Sequence, residues 1–253
     1  MTFSVRGLGF RWGKKWVFRE VSFSVDPGEI LAVMGPNGVG KTTLLRCLNG
    51  ILVPHEGAVW VDGGRVGAMS RDQVARSMGY VPQYTVPQRM TVFDAVLLGR
   101  RPHMRFTVTD RDLVMVESVL DLLDLGGLRL RTLDRMSGGE RQKVAVARAL
   151  VQDPSVLLLD EPTASLDMKN RVELMEVLRR TVQEHGLAAV TTIHDVNGAL
   201  RYADRCLFLR DGSVEAWCRP AEVTETVIQR VYGLAVELVN HRGIPLVVPK
   251  GEP

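Results

Sequence analysis

The sequence predicts an α/β fold built on a parallel sheet, and three features predict it. Residues 30–34 and 156–159 are short continuous apolar runs, the pattern of strands buried on both faces, and 188–193 reads as a third strand. A glycine-rich loop joins the first run directly to a helix that begins at Lys41. Helical segments then separate the later strands, which is how parallel strands are connected in layered α/β proteins.

Taken in order, the opening third reads as strands. Val21-Ser-Phe-Ser-Val25 alternates with period two, and Asp26-Pro27-Gly28 is turn chemistry. These strands form an expected N-terminal antiparallel β subdomain. Residues 91–98 and 110–123 carry apolar residues at helical spacing, with Thr91 and Asp110 placed to cap them. They begin a helical insert expected over about 86–153. A helix from Gly139 leads to the strand at 156–159, a long helix from 167 to about 184 leads to the strand at 188–193, and shorter strands and helices follow Arg205. No repeat, heptad or low-complexity tract divides the chain, so residues 1–253 read as one domain; the tail from about Glu222 receives no function.

Bulk properties narrow the classes. With 32 basic and 29 acidic residues the charge is nearly balanced, which gives no reason to expect a nucleic-acid partner. The longest apolar stretches fall far short of the ~20 residues that span a bilayer. The N-terminus intersperses apolar residues with Arg6, Arg11, Lys14 and Lys15, unlike a secretory signal, so a cytoplasmic location is expected. Cys47, Cys206 and Cys218 lack close metal-ligand spacing and read as free thiols.

The loop carries the chemistry. Gly35-Pro36-Asn37-Gly38-Val39-Gly40-Lys41-Thr42 matches the phosphate-binding pattern G-x-x-x-x-G-K-[ST], between a strand and a helix as the pattern requires. Its glycines let successive amide N–H groups face a phosphate, and the helix start adds a favourable field for anionic oxygen. Lys41 is expected to reach the β- and γ-phosphates of ATP and the Thr42 hydroxyl to take a place on Mg²⁺, with Thr43 beside it in the nucleotide-binding set. Asp160 and Glu161 close the strand at 156–159, at the end of a parallel sheet where ligands bind. Asp160 is expected to hold Mg²⁺, and Glu161 to polarise the water that attacks the γ-phosphorus.

Met136-Ser137-Gly138-Gly139-Glu140-Arg141-Gln142 is a helix start, with Ser137 and Glu140 at capping-box spacing. It also closely resembles the LSGGQ-type signature of ABC ATPases, with Met136 for the usual leucine. The resemblance covers essentially the whole chain and implies further roles. Gln83, in Gly79-Tyr-Val-Pro-Gln83, resembles the Q-loop glutamine that touches Mg²⁺ and the attacking water. Ser165-Leu166-Asp167 resembles the D-loop, and His194 resembles the switch histidine, which at the end of its strand could donate to the γ-phosphate. Trp12 or Phe10 falls where the family stacks an aromatic ring on adenine; Trp12 is preferred for its spacing to Val17 and Phe18.

The family further implies a head-to-tail homodimer, in which the signature segment Ser137 to Glu140 of one copy completes the phosphate site of the other. Partners implied are permease subunits, with an extracytoplasmic substrate-binding protein acting indirectly, and a place at the cytoplasmic face of the membrane. The stretch from Thr91 to His103 resembles ATPases of importers for ferric siderophores, haem and cobalamin, with permease docking expected around Tyr84 to Arg105. Importers of molybdate, tungstate or another small solute are the alternative. Soluble ABC ATPases acting on ribosomes or DNA characteristically carry two cassettes or a long coiled coil, and this sequence has neither.

Overall fold

The computed structural model describes residues 3–84, 88–104 and 107–250. Two sheets and a terminal hairpin organise them. Strands β1 (Phe3–Trp12), β2 (Lys15–Val25), β4 (Glu56–Val61) and β5 (Gly64–Arg65) make an antiparallel sheet in the order β2-β1-β4-β5. A six-stranded sheet runs β10-β9-β3-β8-β7-β6, from β3 (Ile30–Met34), β6 (Met78–Val81), β7 (Val156–Asp160), β8 (Ala188–Thr192), β9 (Arg205–Arg210) and β10 (Ser213–Cys218). Five of these six strands are parallel, and only the edge strand β10 runs against its neighbour.

Period-two patterning explains why the central sheet supports a layer on each face. Ile30, Ala32 and Met34 point into one core with Leu157 and Leu159, whereas Leu31 and Val33 join a second core with Val156 and Leu158. The first core takes in helices α3 (Val92–Leu97), α4 (Asp110–Leu122), α5 (Gly138–Leu150), α6 (Met168–His185) and α7 (Val196–Tyr202). The second is closed by α1 (Lys41–Leu48) and the antiparallel sheet, with α2 (Arg71–Ser77) at its margin. Strands β3, β7 and β8 are buried at every residue, as their unbroken apolar runs predict.

The helix signals are mostly local and mostly hold. Thr91 caps α3 by accepting from the Asp94 amide, and Asp167 caps α6 by accepting from the Asn170 amide. One expectation is corrected: Asp110 does not cap α4. Thr109 does, because its hydroxyl accepts from the Asp112 amide while the Asp112 carboxylate reaches back to the Thr109 amide at 3.1 Å, leaving Asp110 inside the first turn. The tail folds as α8 (Glu225–Tyr232) and a hairpin of β11 (Val236–His241) and β12 (Ile244–Pro249).

Candidate active site

The parallel strands deliver their loops to one end of the sheet. At the end of β3 the loop turns through Gly35, Gly38 and Gly40, with φ of 148°, 78° and 109°. Two of these glycines are sterically required as well: a side chain on Gly35 would strike the Leu209 carbonyl of β9, and one on Gly40 would strike Val17 of β2. Pro36, Asn37, Gly38 and Val39 form the turn of the loop, and Thr42 and Thr43 fall in the first turn of α1.

Lys41 is 6% exposed, and its ammonium donates to the Gly35 and Pro36 carbonyls at 2.8 and 3.1 Å. Burial pushes its pKa down, while the carboxylates of Glu161 and Asp160 pull it back up. Among the described residues the cation is therefore held inside the loop by carbonyl dipoles rather than by a salt bridge, and it remains available to an anion.

Asp160 ends β7 almost fully buried. Its Oδ1 accepts from the Thr42 hydroxyl at 3.1 Å and from the Thr192 hydroxyl at 2.9 Å, and its Oδ2 accepts from the Tyr80 hydroxyl at 3.5 Å. The Thr42 hydroxyl and the Asp160 carboxylate thus present hard oxygens side by side, the donor chemistry that suits Mg²⁺.

Glu161 follows with φ of 50°, a left-handed conformation sparsely populated by residues other than glycine. Its amide donates to the Thr192 hydroxyl at 2.8 Å, which fixes the turn that swings the carboxylate off the strand. Gln83 donates from its amide to Glu161 Oε2 at 2.6 Å, and the His194 ring Nε2 contacts Glu161 Oε1. Three loops, after β6, β7 and β8, therefore meet on one carboxylate.

The structure brings together Lys41, Thr42, Gln83, Asp160, Glu161 and His194. It also adds Thr192 and Tyr80, to which the sequence assigned no role. Thr192 is Asp160's register partner across β7 and β8, and its hydroxyl ties the Asp160 carboxylate to the Glu161 backbone. A hydroxyl at the end of a buried strand is the signal that could have found it.

Ser137, Gly138, Gly139 and Glu140 lie apart from this cluster. They open α5 with a capping box in which Glu140 accepts from the Ser137 amide at 2.7 Å and Ser137 accepts from the Glu140 amide at 3.2 Å. The two glycines lie against Ser165 and Leu166, the predicted D-loop. Among the described residues no hydrogen bond links the segment to the phosphate loop.

Of the two aromatic candidates, Phe10 is buried at 4% exposure between Phe18 and His55, whereas Trp12 is 59% exposed and meets Phe10 edge-on at 4.9 Å. Only Trp12 has a ring face open to a ligand. Its hairpin reaches the phosphate loop through Val17 and Phe18, which abut Gly40.

A groove of about 1100 Å³ opens between the antiparallel sheet, α2 and α5, lined by Val53, Val66, Met69, Tyr84, Met90 and Arg148 among others. Tyr84 at its mouth is 74% exposed. Residues 85–87 and 105–106 of the expected docking stretch lie outside the described residues. No helix among the described residues is long and apolar enough to cross a membrane.

Comparison with known proteins agrees with this geometry. Residues 18–164 match the family described as ABC transporter. The chain is 36% identical to the ferric enterobactin transport ATP-binding protein of Escherichia coli, over 96% of this chain and 92% of that one. Among solved structures it superposes with a TM-score of 0.85 on a chain of a transporter described as metal-chelate type in an inward-facing conformation, at 29% identity over 99% and 97% of the two chains. It superposes with a TM-score of 0.76 on an ATP-binding cassette in a dimeric post-hydrolysis state with ADP and Pi, at 27% identity over 86% of this chain and 98% of that one.

Proposed function

The chain belongs to the ABC transporter family as an ATP-binding subunit that hydrolyses ATP to power transport, and on that premise we propose that it drives import of a metal chelate, a ferric siderophore, haem or cobalamin, through a partner permease. The observation that carries the ATPase chemistry is the meeting of Gln83, Glu161 and His194 beside Lys41, Thr42 and Asp160. The likeness to the enterobactin protein and to the metal-chelate type transporter supports the cargo class.

In this reading the amides of Gly38 to Thr43 receive the phosphates, and Lys41 turns its ammonium from the loop carbonyls to the β,γ-oxygens. Thr42 and Asp160 are the residues that hold Mg²⁺, with Gln83 beside them; the ion neutralises charge on the phosphates when bound. Trp12 stacks on adenine. Glu161 orients the attacking water and accepts its proton, with Gln83 and His194 fixing the carboxylate from either side. His194 then donates to the γ-phosphate as charge builds there.

Two copies meet head to tail, so that Ser137 to Glu140 of one face the phosphate loop of the other, a reading supported by the separation of the two segments within one chain and by the dimeric cassette it resembles. The groove at Tyr84 receives the permease, which holds the subunit at the cytoplasmic face of the membrane. Opening and closing of the ATP-dependent dimer is transmitted there. An extracytoplasmic binding protein supplies the cargo on the far side, and no nucleic acid takes part.

Affinity purification of the tagged chain from detergent-solubilised membranes of its host, in the presence of ATP, tests this. Co-purification of a polytopic permease together with a chelate-binding protein is expected. Recovery of ribosomal or DNA-bound proteins with no membrane protein would overturn the importer reading and leave the ATPase standing.

A further inference from the structure

His194 sits in the short link between β8 and α7, so its position depends on how α7 is held. Helix α7 has seven residues, and its N-cap residue Asp195 makes no side-chain cap bond. Such a helix gains little from its own hydrogen bonds and takes its placement from its neighbours. Asp195 lies 3.7 Å from Arg171 of α6, and Arg179 donates to the Arg201 carbonyl at the far end of α7. The body of the helix is fastened differently. The Asn197 side chain accepts from the Val247 amide at 2.7 Å and donates to the Val247 carbonyl at 3.1 Å, a two-point bond to β12.

The strand is shaped for that bond. Alternate residues of β12 share an outward edge away from β11, and at 245, 247 and 249 the sequence reads Pro, Val, Pro. The two prolines have no N–H to offer, so this edge presents a single donor, that of Val247, and Asn197 takes it. The hairpin is itself anchored: Glu225 of α8 accepts from the Leu238 amide and pairs with Lys250 at 3.3 Å, and α8 packs on β9 and β10.

We propose that Asn197 is a positioning residue for ATP hydrolysis, which by bolting α7 to the C-terminal hairpin holds His194 in place against Glu161. This gives the tail a task in the cycle, and it rests on the reading of His194 as the γ-phosphate donor. Because His194 acts late, loss of the bolt affects turnover more than nucleotide binding.

Asn197→Ala removes both points of the bond, Val247→Pro removes the shorter of the two from the opposite side, and the second adds a proline where the edge already alternates with two. Steady-state ATPase assays on each variant, on the pair combined, and on each in a His194→Ala background decide the matter. The expected result is a kcat lowered about tenfold in both single variants with KM for ATP within about twofold, no further loss when they are combined, and no further loss in the His194→Ala background. An unchanged kcat in a folded single variant, or the same loss with His194 already removed, overturns the proposal. If Asn197→Ala fails to fold, Val247→Pro carries the comparison. Wild-type turnover in His194→Ala alone removes the underlying role of His194, an outcome separate from failure of the bolt.

Discussion

Thr192 shows how much of this site hangs on a single hydroxyl. Fully buried, it donates to Asp160 and accepts from the Glu161 amide, so one oxygen sets both the Asp160 carboxylate and the left-handed turn at Glu161. Thr192→Val keeps the shape and removes the oxygen. The Glu161 amide is then left without its partner, a loss of about 1–3 kcal/mol. The turn also loses the bond that holds it against its backbone preference. We expect the urea midpoint to fall and kcat to fall about tenfold or more, with Thr192→Ser close to wild type in both measurements. A Thr192→Val protein with unaltered turnover would detach the hydroxyl from the catalytic geometry.

At the scale of elements, the helical segments after β6 are fastened by a buried ion pair. Arg100 and Asp112 have side chains 5% and 7% exposed, with Nε to Oδ1 at 2.9 Å, and Arg100 also donates to the Val151 carbonyl just beyond α5 at 2.9 Å. The Thr109 hydroxyl and then Arg100 hold the Asp112 carboxyl down at about 2. Because the folded value lies below the unfolded one, this stabilisation is present above about pH 4 and is lost as pH falls through about 2. Asp112→Asn should therefore be less stable than wild type at about pH 5, with the gap in urea midpoint narrowing towards about pH 2.5. Arg100→Met leaves the Asp112 carboxylate buried without its cation, Asp112→Asn leaves the Arg100 guanidinium buried without its anion, and each should cost about 3–5 kcal/mol near neutral pH. Neither partner is legible in the sequence, since each is one charge among many until the fold brings them together. Local spacing, by contrast, is legible: the Ser137 and Glu140 capping box was readable, and the same test applied to Thr109 and Asp112 would have placed the α4 cap correctly. Thr192 escaped because its role depends on register between β7 and β8, and register is set by the whole sheet.

For the whole molecule, the decisive geometry is the distance between two segments of one copy. The phosphate loop and the signature segment are separate in the folded chain, and among the described residues Ser137 to Glu140 bond only locally or to Arg131. A head-to-tail pair makes a particular prediction about mixtures. Lys41→Ala disables a phosphate loop but leaves its own signature sound. Ser137→Asp keeps a good helix N-cap while placing a negative charge where the facing γ-phosphate would lie. Each variant alone has two damaged sites in its homodimer and should be nearly inactive. In a mixed dimer both lesions fall on the same site, and the other site pairs a sound loop with a sound signature. Random mixing makes about half the dimers mixed, so about one site in four is intact. ATPase activity should therefore return when the two inactive proteins are combined with ATP, rising with the mixed fraction. If each copy completed its own site, the mixture would stay as inactive as its parts, and the head-to-tail arrangement would have to be abandoned.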